Sequence, residues 1–211
     1  VNESLGLLEV TGLTTSIAAI DAMEKAADIR VIQCELNDNY GVSIKISGRS
    51  GAVNAAIEAG SQTAQRMGGR PVADIILRLD ERAAKAVIAS AEYSKLIEQK
   101  VVFFPNNQLS PTKANHQMNS ENCNALGLIE TQGFTAVFEA IDTACKTANV
   151  EFVAKEKLGG GYITVVIRGE LSAVTSAVEA GKAKVEAFGK LIAAHVIARP
   201  SPAALSLLER I

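Results

Sequence analysis

Leu5-Gly6-Leu7-Leu8-Glu9 and Leu126-Gly127-Leu128-Ile129-Glu130 are one short pattern written twice. Moving outward from both at a fixed offset of about 121 residues, the match runs on without a gap. Asp21-Ala22-Met23-Glu24-Lys25 falls on Asp142-Thr143-Ala144-Cys145-Lys146, and Gly48 falls on Gly169. Ala56-Ile57-Glu58-Ala59-Gly60 falls on Ala177-Val178-Glu179-Ala180-Gly181, Gly68 on Gly189 and Arg78 on Arg199. From residue 5 to 78, roughly 22 of about 74 aligned pairs are identical, and most others exchange one apolar residue for another. Two long units of this kind are a duplicated domain, not a solenoid of many short repeats.

Each unit alternates strand and helix patterns. Leu5 to Thr11 is an apolar run stopped by Gly12, which predicts a first strand. Thr14 to Ala27 places Ile17, Ile20 and Ala27 at helical spacing, with Thr14 or Thr15 available as N-cap, and Phe138, Ile141 and Ala148 repeat the stripe. Ile29 to Leu36 and Val42 to Ile46 read as two strands joined by a turn; in the second of them Val42, Ile44 and Ile46 alternate with Ser43 and Lys45. An Ala-rich helix over about Ala52 to Met67 is closed by Gly68-Gly69, and Val72 to Leu79 is the last strand. The order βαββαβ predicts an α+β fold, a tandem duplication of a ferredoxin-like unit with two helices on one face of an antiparallel sheet. That architecture serves many functions and selects none. Residues 1–100 are expected to form the first domain, ending in a further helix from about Asp80. Residues 101–123, carrying Pro105, Pro111 and many Asn, Gln and Ser, are expected to be a linker, and 124–211 the second domain.

Aromatics make up only 4% of the chain against 48% hydrophobic residues, so the apolar mass is mainly Ala, Val, Ile and Leu, suited to close packing of helices and subunits. A formal net charge of −2, with Lys and Arg interspersed among Asp and Glu, gives no electrostatic basis for a nucleic-acid partner. There is no basic-then-apolar leader at Val1-Asn2-Glu3-Ser4, and no run approaches the roughly 20 apolar residues of a membrane span, so a cytoplasmic protein without a membrane partner is expected.

Leu126-Gly127-Leu128-Ile129-Glu130-Thr131-x-Gly133, then Ala140-Ile141-Asp142-x-x-x-Lys146-x-Ala148-Asn149-Val150, then Lys157-Leu158-Gly159-Gly160-Gly161, and finally His195-Val196-Ile197-Ala198-Arg199-Pro200, together resemble the bacterial microcompartment (BMC) shell domain. Residues 4–90 resemble it more weakly. The resemblance implies a tandem, trimer-forming shell protein: a structural protein, not an enzyme, whose homotrimer imitates a hexamer, tiles with hexameric shell partners and passes small metabolites through a central pore. Both copies open on the L-G-x-x-E strand, which is the unpermuted form of the domain. That makes the stacked double trimers associated with permuted relatives the poorer model.

In that family the turn between the second and third strands lines the pore. Here the two copies differ most in that turn: Asn37, Asp38, Asn39 and Tyr40 in the first, Leu158, Gly159, Gly160 and Gly161 in the second. In a trimer, three Asp38 carboxylates and three Tyr40 rings would alternate with three glycine loops, changing the opening's size and charge. Read without the resemblance, both are hairpin turns chosen for positive-φ chemistry. The resemblance also assigns Lys25, Lys146, Arg78 and Arg199 to the edge between tiles, where the plain reading of each Lys is a cation favoured near a helix C-terminus.

Cys34, Cys123 and Cys145 are scattered, and none lies in a pore turn, where some tandem shell proteins hold an iron–sulfur cluster; no metal or other cofactor is expected. His116 and His195 have no counterpart, Asp74 standing where a partner to His195 would be. Glu9 with Glu130, and Asp21 with Asp142, recur at positions better explained by fold or interface than by acid–base chemistry. The alternative reading is a small-molecule-binding regulatory protein of duplicated ferredoxin-like domains.

Overall fold

The computed structural model describes residues 3–37, 40–79, 125–185 and 187–210. The first unit runs β1 (Ser4–Thr11), α1 (Leu13–Ala26), β2 (Arg30–Asn37), β3 (Gly41–Gly48), α2 (Ser50–Arg66), β4 (Val72–Ile76). The second runs β5 (Ala125–Gln132), α3 (Phe134–Thr147), β6 (Glu151–Gly159), β7 (Tyr162–Gly169), α4 (Leu171–Val185), β8 (Lys190–Ala198), followed by α5 (Pro202–Arg210). The sheets have strand orders β2-β3-β1-β4 and β6-β7-β5-β8, all neighbours antiparallel, which is the expected α+β duplication. Even the irregularity repeats: β2 slips register between Val31 and Gln33, and β6 slips between Phe152 and Ala154.

Within each unit one face of the central strands meets the helices, the even-numbered residues (Gly6, Leu8) in the first and the odd-numbered ones (Gly127, Ile129) in the second. Gly127 shows how close the contact is, since a Cβ there would lie 2.6 Å from Val178 Cγ2 and 2.8 Å from Val174 Cγ1. Ile129, Val165 and Ile167 fill the rest of that layer with Val174, Ala177 and Val178. The opposite side of the second sheet is also apolar. Leu126, Leu128, Val166 and Ile197 are buried there in one cluster with Leu13, Ile17 and Ile20 of α1 and Ala204, Leu205 and Leu208 of α5. Each large aliphatic side chain so buried contributes roughly 1.5–3 kcal/mol, enough to make the two units one packed body.

That packing explains two departures from expectation, and a third concerns the length of β4. Ile17 is fully buried whereas its counterpart Phe138 is 49% exposed, because the second sheet covers α1 and, among the described residues, no corresponding sheet covers the outer side of α3. Neither Thr14 nor Thr15 is the N-cap of α1: the cap position is Gly12, at φ 92°, and it contributes no side-chain bond. The missing cap comes from the other unit. β4 ends at Ile76, three residues short of the expected Leu79. The helix expected from Asp80 and the linker 101–123 lie outside the described residues.

Candidate functional site

Two hairpins meet at one end of the molecule. In the second unit, β6 and β7 pair as far as Gly159↔Tyr162, leaving a two-residue loop of Gly160 (φ 55°) and Gly161 (φ 82°). Positive φ at both central positions is the geometry of a tight primed turn and the reason glycine stands at each. In the first unit β2 and β3 pair as far as Asn37↔Gly41, and Tyr40 takes a positive φ of 61° with no glycine to ease it. Each loop is tied to the start of its own first helix by the same bond: Gly12 N–H donates to Tyr40 O (2.7 Å), and Gly133 N–H to Gly161 O (2.9 Å).

The loops also touch one another. The Tyr40 ring stacks on Tyr162 with centroids 4.6 Å apart and planes 12° from parallel. It lies so close over Gly160 that a Cβ there would fall 2.1 Å from Tyr40 Cε1. The contact has a trace in the sequence that the repeat alone did not reveal: the first copy reads Tyr40-Gly41 where the second reads Gly161-Tyr162, so the aromatic shifts by one residue between copies.

Beneath the loops lies the joint between units. Glu130, on β5 and fully buried, accepts from the N–H groups of Leu13 (3.1 Å) and Thr14 (3.0 Å), the orphan donors at the start of α1. Burial raises the pKa of this carboxyl above its ordinary value, and the Thr14 and Leu13 N–H bonds act against that rise. At the other end of α1 the roles reverse. Asp21 Oδ1 accepts from Ser201 N–H (2.8 Å) and Glu24 Oε2 from Ala203 N–H (2.9 Å), so α1 caps α5 as β5 caps α1. Lys25 Nζ bridges Asp21 (2.6 Å) and Ala198 O (3.0 Å). His195, half-buried on β8, has its pKa lowered by burial, with the Asp21 charge opposing the shift.

The structure therefore brings Tyr40 and Gly160 into contact, with Gly159 and Gly161 beside them. Asp38 and Asn39 lie outside the described residues; Asn37 ends β2, and Leu158 precedes Gly159, the last residue of β6. Lys25 lies at the outer end of the joint with 47% of its side chain exposed; Lys146, bound to Asp142 at 2.5 Å, is 73% exposed. Arg78 and Arg199 are exposed after β4 and β8, and Arg199 adopts an unusual positive φ of 49°. Among the described residues no three His, Cys, Asp or Glu side chains are grouped to hold a metal ion. Neither Cys34 nor Cys145 is in a disulfide, and Cys123 lies outside the described residues.

The BMC domain model matches this chain twice, over residues 4–78 and 125–200. The chain belongs to the BMC-domain family. Two successive domains in one chain make it a tandem BMC protein, and proteins of this family build microcompartment shells as structural components, not enzymes. The carboxysome assembly protein CcmO of Synechococcus elongatus is 32% identical over 93% of the chain, which spans 65% of that relative's length. The carboxysome shell protein CsoS1B of Hydrogenovibrio crunogenus is 50% identical over 84 residues, 39% of the chain and 87% of the relative. The microcompartment shell protein PduA of Salmonella typhimurium is 49% identical over 76 residues, 36% of the chain and 81% of the relative. A solved microcompartment protein from Desulfitobacterium hafniense DCB covers 100% of both chains at 26% identity with a TM-score of 0.38, an overlap too loose to bear on how the BMC domains sit together. No helix among the described residues is long and apolar enough to cross a membrane.

Proposed function

We propose that this tandem BMC protein is a pseudohexameric shell tile: three copies form a ring of six BMC domains that takes its place beside hexameric tiles in a microcompartment shell within the cytoplasm, with a central opening for small metabolites. The observation that carries the reading is the contact between the two unlike hairpins. One chain gathers Tyr40 and Gly160 at a common rim, as two adjacent segments of a ring around an axis would be gathered.

On this reading Asn37, Asp38, Asn39 and Tyr40 alternate around the opening with Leu158, Gly159, Gly160 and Gly161. A fused chain thereby sets two chemistries at alternate positions, which six identical subunits cannot do. The glycine turn presents backbone N–H groups to solutes, while Asp38 contributes negative charge and Tyr40 bulk. Lys25, Lys146, Arg78 and Arg199 are assigned to the outer edge, where neighbouring tiles meet; their exposure and their placement at helix and strand ends support that role.

The test is co-expression with hexameric shell proteins followed by shell purification. The chain should co-purify at substoichiometric amount in closed shells, and replacing loop 37–40 by the sequence of 158–161 should change the flux of small charged solutes. A chain that stays monomeric at high concentration and enters no flat or closed assembly would end the proposal.

A further inference from the structure

Among the described residues, two hydroxyl groups of the joint between units are buried without a hydrogen-bond partner: Thr14 Oγ1 on α1 and Thr164 Oγ1 on β7, both in wholly buried residues. Both belong to the surroundings of Glu130. Thr164 is the cross-strand partner of Glu130, and directly paired residues of neighbouring strands carry their side chains on the same face. The Thr14 side chain comes from the other unit and acts on the Glu130 carboxyl in the same sense as the two N–H bonds, although its hydroxyl geometry falls short of a hydrogen bond. On the far side of Thr164 the row continues to Glu156 of β6, a second carboxyl whose pKa burial raises. The first unit writes the same row as Glu9, Ser43 and Glu35, and there Lys45 reaches Glu35 at 2.7 Å. In the second unit Val166 takes the place of Lys45, so no lysine stands at that position to answer the row.

Buried hydroxyls are rarely left unpaired, and where the chain offers no partner an ordered water or an ion supplies one. The surroundings of the carboxylate leave space of the right kind. A methyl group built on Gly12 would meet oxygens first: Glu130 Oε2 at 3.3 Å, Thr15 Oγ1 at 3.5 Å and Glu130 Oε1 at 3.7 Å. On that side Glu130 borders a small polar space, not packed carbon. We infer that the joint holds one buried water molecule beside Glu130, accepting from the Thr164 hydroxyl and donating to the Glu130 carboxylate and to Thr14 Oγ1. Three bonds are the usual complement of a buried water. A cation fits less well, because the Leu13 and Thr14 N–H groups bring the positive end of α1 to the same carboxylate. Water also both donates and accepts, as two hydroxyls flanking one carboxylate require. The water ties β5 and β7 of the second unit to α1 of the first, and so makes Thr164 a member of the joint that the direct bonds alone do not include.

The experiment joins a crystal structure of the full chain, at a resolution that shows ordered solvent, to urea titration of Thr164→Val. The crystal should show one solvent peak within about 3.2 Å of both Thr164 Oγ1 and a Glu130 carboxylate oxygen. Thr164→Ser, which keeps the hydroxyl, should retain the peak, and Thr164→Val should lose it. Valine has nearly the shape of threonine, so the sign of its effect is decisive. With the water in place the substitution removes a bonded hydroxyl, and the urea midpoint should fall by roughly 0.5 M at fixed chain concentration. Without it the substitution removes an unpaired buried hydroxyl, and the midpoint should hold or rise. A midpoint at or above that of wild type, or a wild-type crystal with no solvent peak at this place, would overturn the inference. A peak that gains anomalous scattering after a thallous-ion soak would assign the place to a cation and overturn it as well. The wild-type crystal decides the matter even if Thr164→Val does not fold.

Discussion

Replacing Glu130 by Gln keeps the volume of the buried side chain and removes its charge. The carboxylate now meets two donors, Leu13 N–H at 3.1 Å and Thr14 N–H at 3.0 Å. An amide can satisfy one of them through its oxygen, but its NH2 group then faces the other, so one bond is lost and a donor is left against a donor inside the joint. A hydrogen bond to a charged group is worth about 1.5–3 kcal/mol, and an unsatisfied buried donor costs about 1–3 kcal/mol. Against these stands the burial of the charge itself, which the raised pKa shows to be unfavourable and which the substitution relieves. The net expectation is a loss of about 2 kcal/mol. In urea, with a slope of about 1–3 kcal/mol per molar, that is a midpoint lower by roughly 1 M at fixed chain concentration. The deficit should also depend on pH. The folded state holds the Glu130 proton to higher pH than the unfolded chain does. It therefore binds more protons between the ordinary value of 4.5 and the raised one, and stability from this group falls as pH rises across that window. The gap between wild type and Glu130→Gln should be widest below pH 4.5 and narrow toward neutrality. A midpoint shifted by less than about 0.2 M at both ends of the window would refute the cap as an energetic feature of the joint.

Three further outcomes follow from the same geometry. Gly160→Ala puts a methyl group where the Tyr40 ring now lies, at a φ of 55°; Tyr40 must leave Tyr162, and the near-ultraviolet tyrosine dichroism should drop while the far-ultraviolet signal holds. Gly127→Ala drives a methyl group into Val174 and Val178 and should cost about 1–3 kcal/mol by urea titration. Arg78→Ala and Arg199→Ala, both at exposed positions, should leave stability within about 0.5 kcal/mol for Arg78, while flat arrays seen by negative-stain microscopy should be lost in either.

The duplication and the four strands of each unit were legible because local patterns carry them: alternation in Val42, Ile44 and Ile46, a stop at Gly68, and a pattern restated at a constant offset. The cap of α1 was not legible, since its acceptor lies more than a hundred residues downstream and becomes a neighbour only when the units pack. Glu9 and Glu130 read from their recurrence as residues of fold or interface, yet nothing local told which of the pair is buried. The stripe Ile17, Ile20 and its counterpart Phe138, Ile141 look alike in sequence and differ in burial because, among the described residues, the second sheet packs on the first stripe and no sheet packs on the other. At the rim, the glycine turn was foreseeable from its composition, whereas the seat of Tyr40 on Gly160 depends on the relative placement of two hairpins.

The most direct measurement is electron microscopy of the assembled protein at a resolution that separates the hairpins. The account predicts three chains about a threefold axis, with turns 37–40 and 158–161 alternating around one central opening. Particles of a single chain, or an assembly in which the two turns lie away from the symmetry axis, would contradict it.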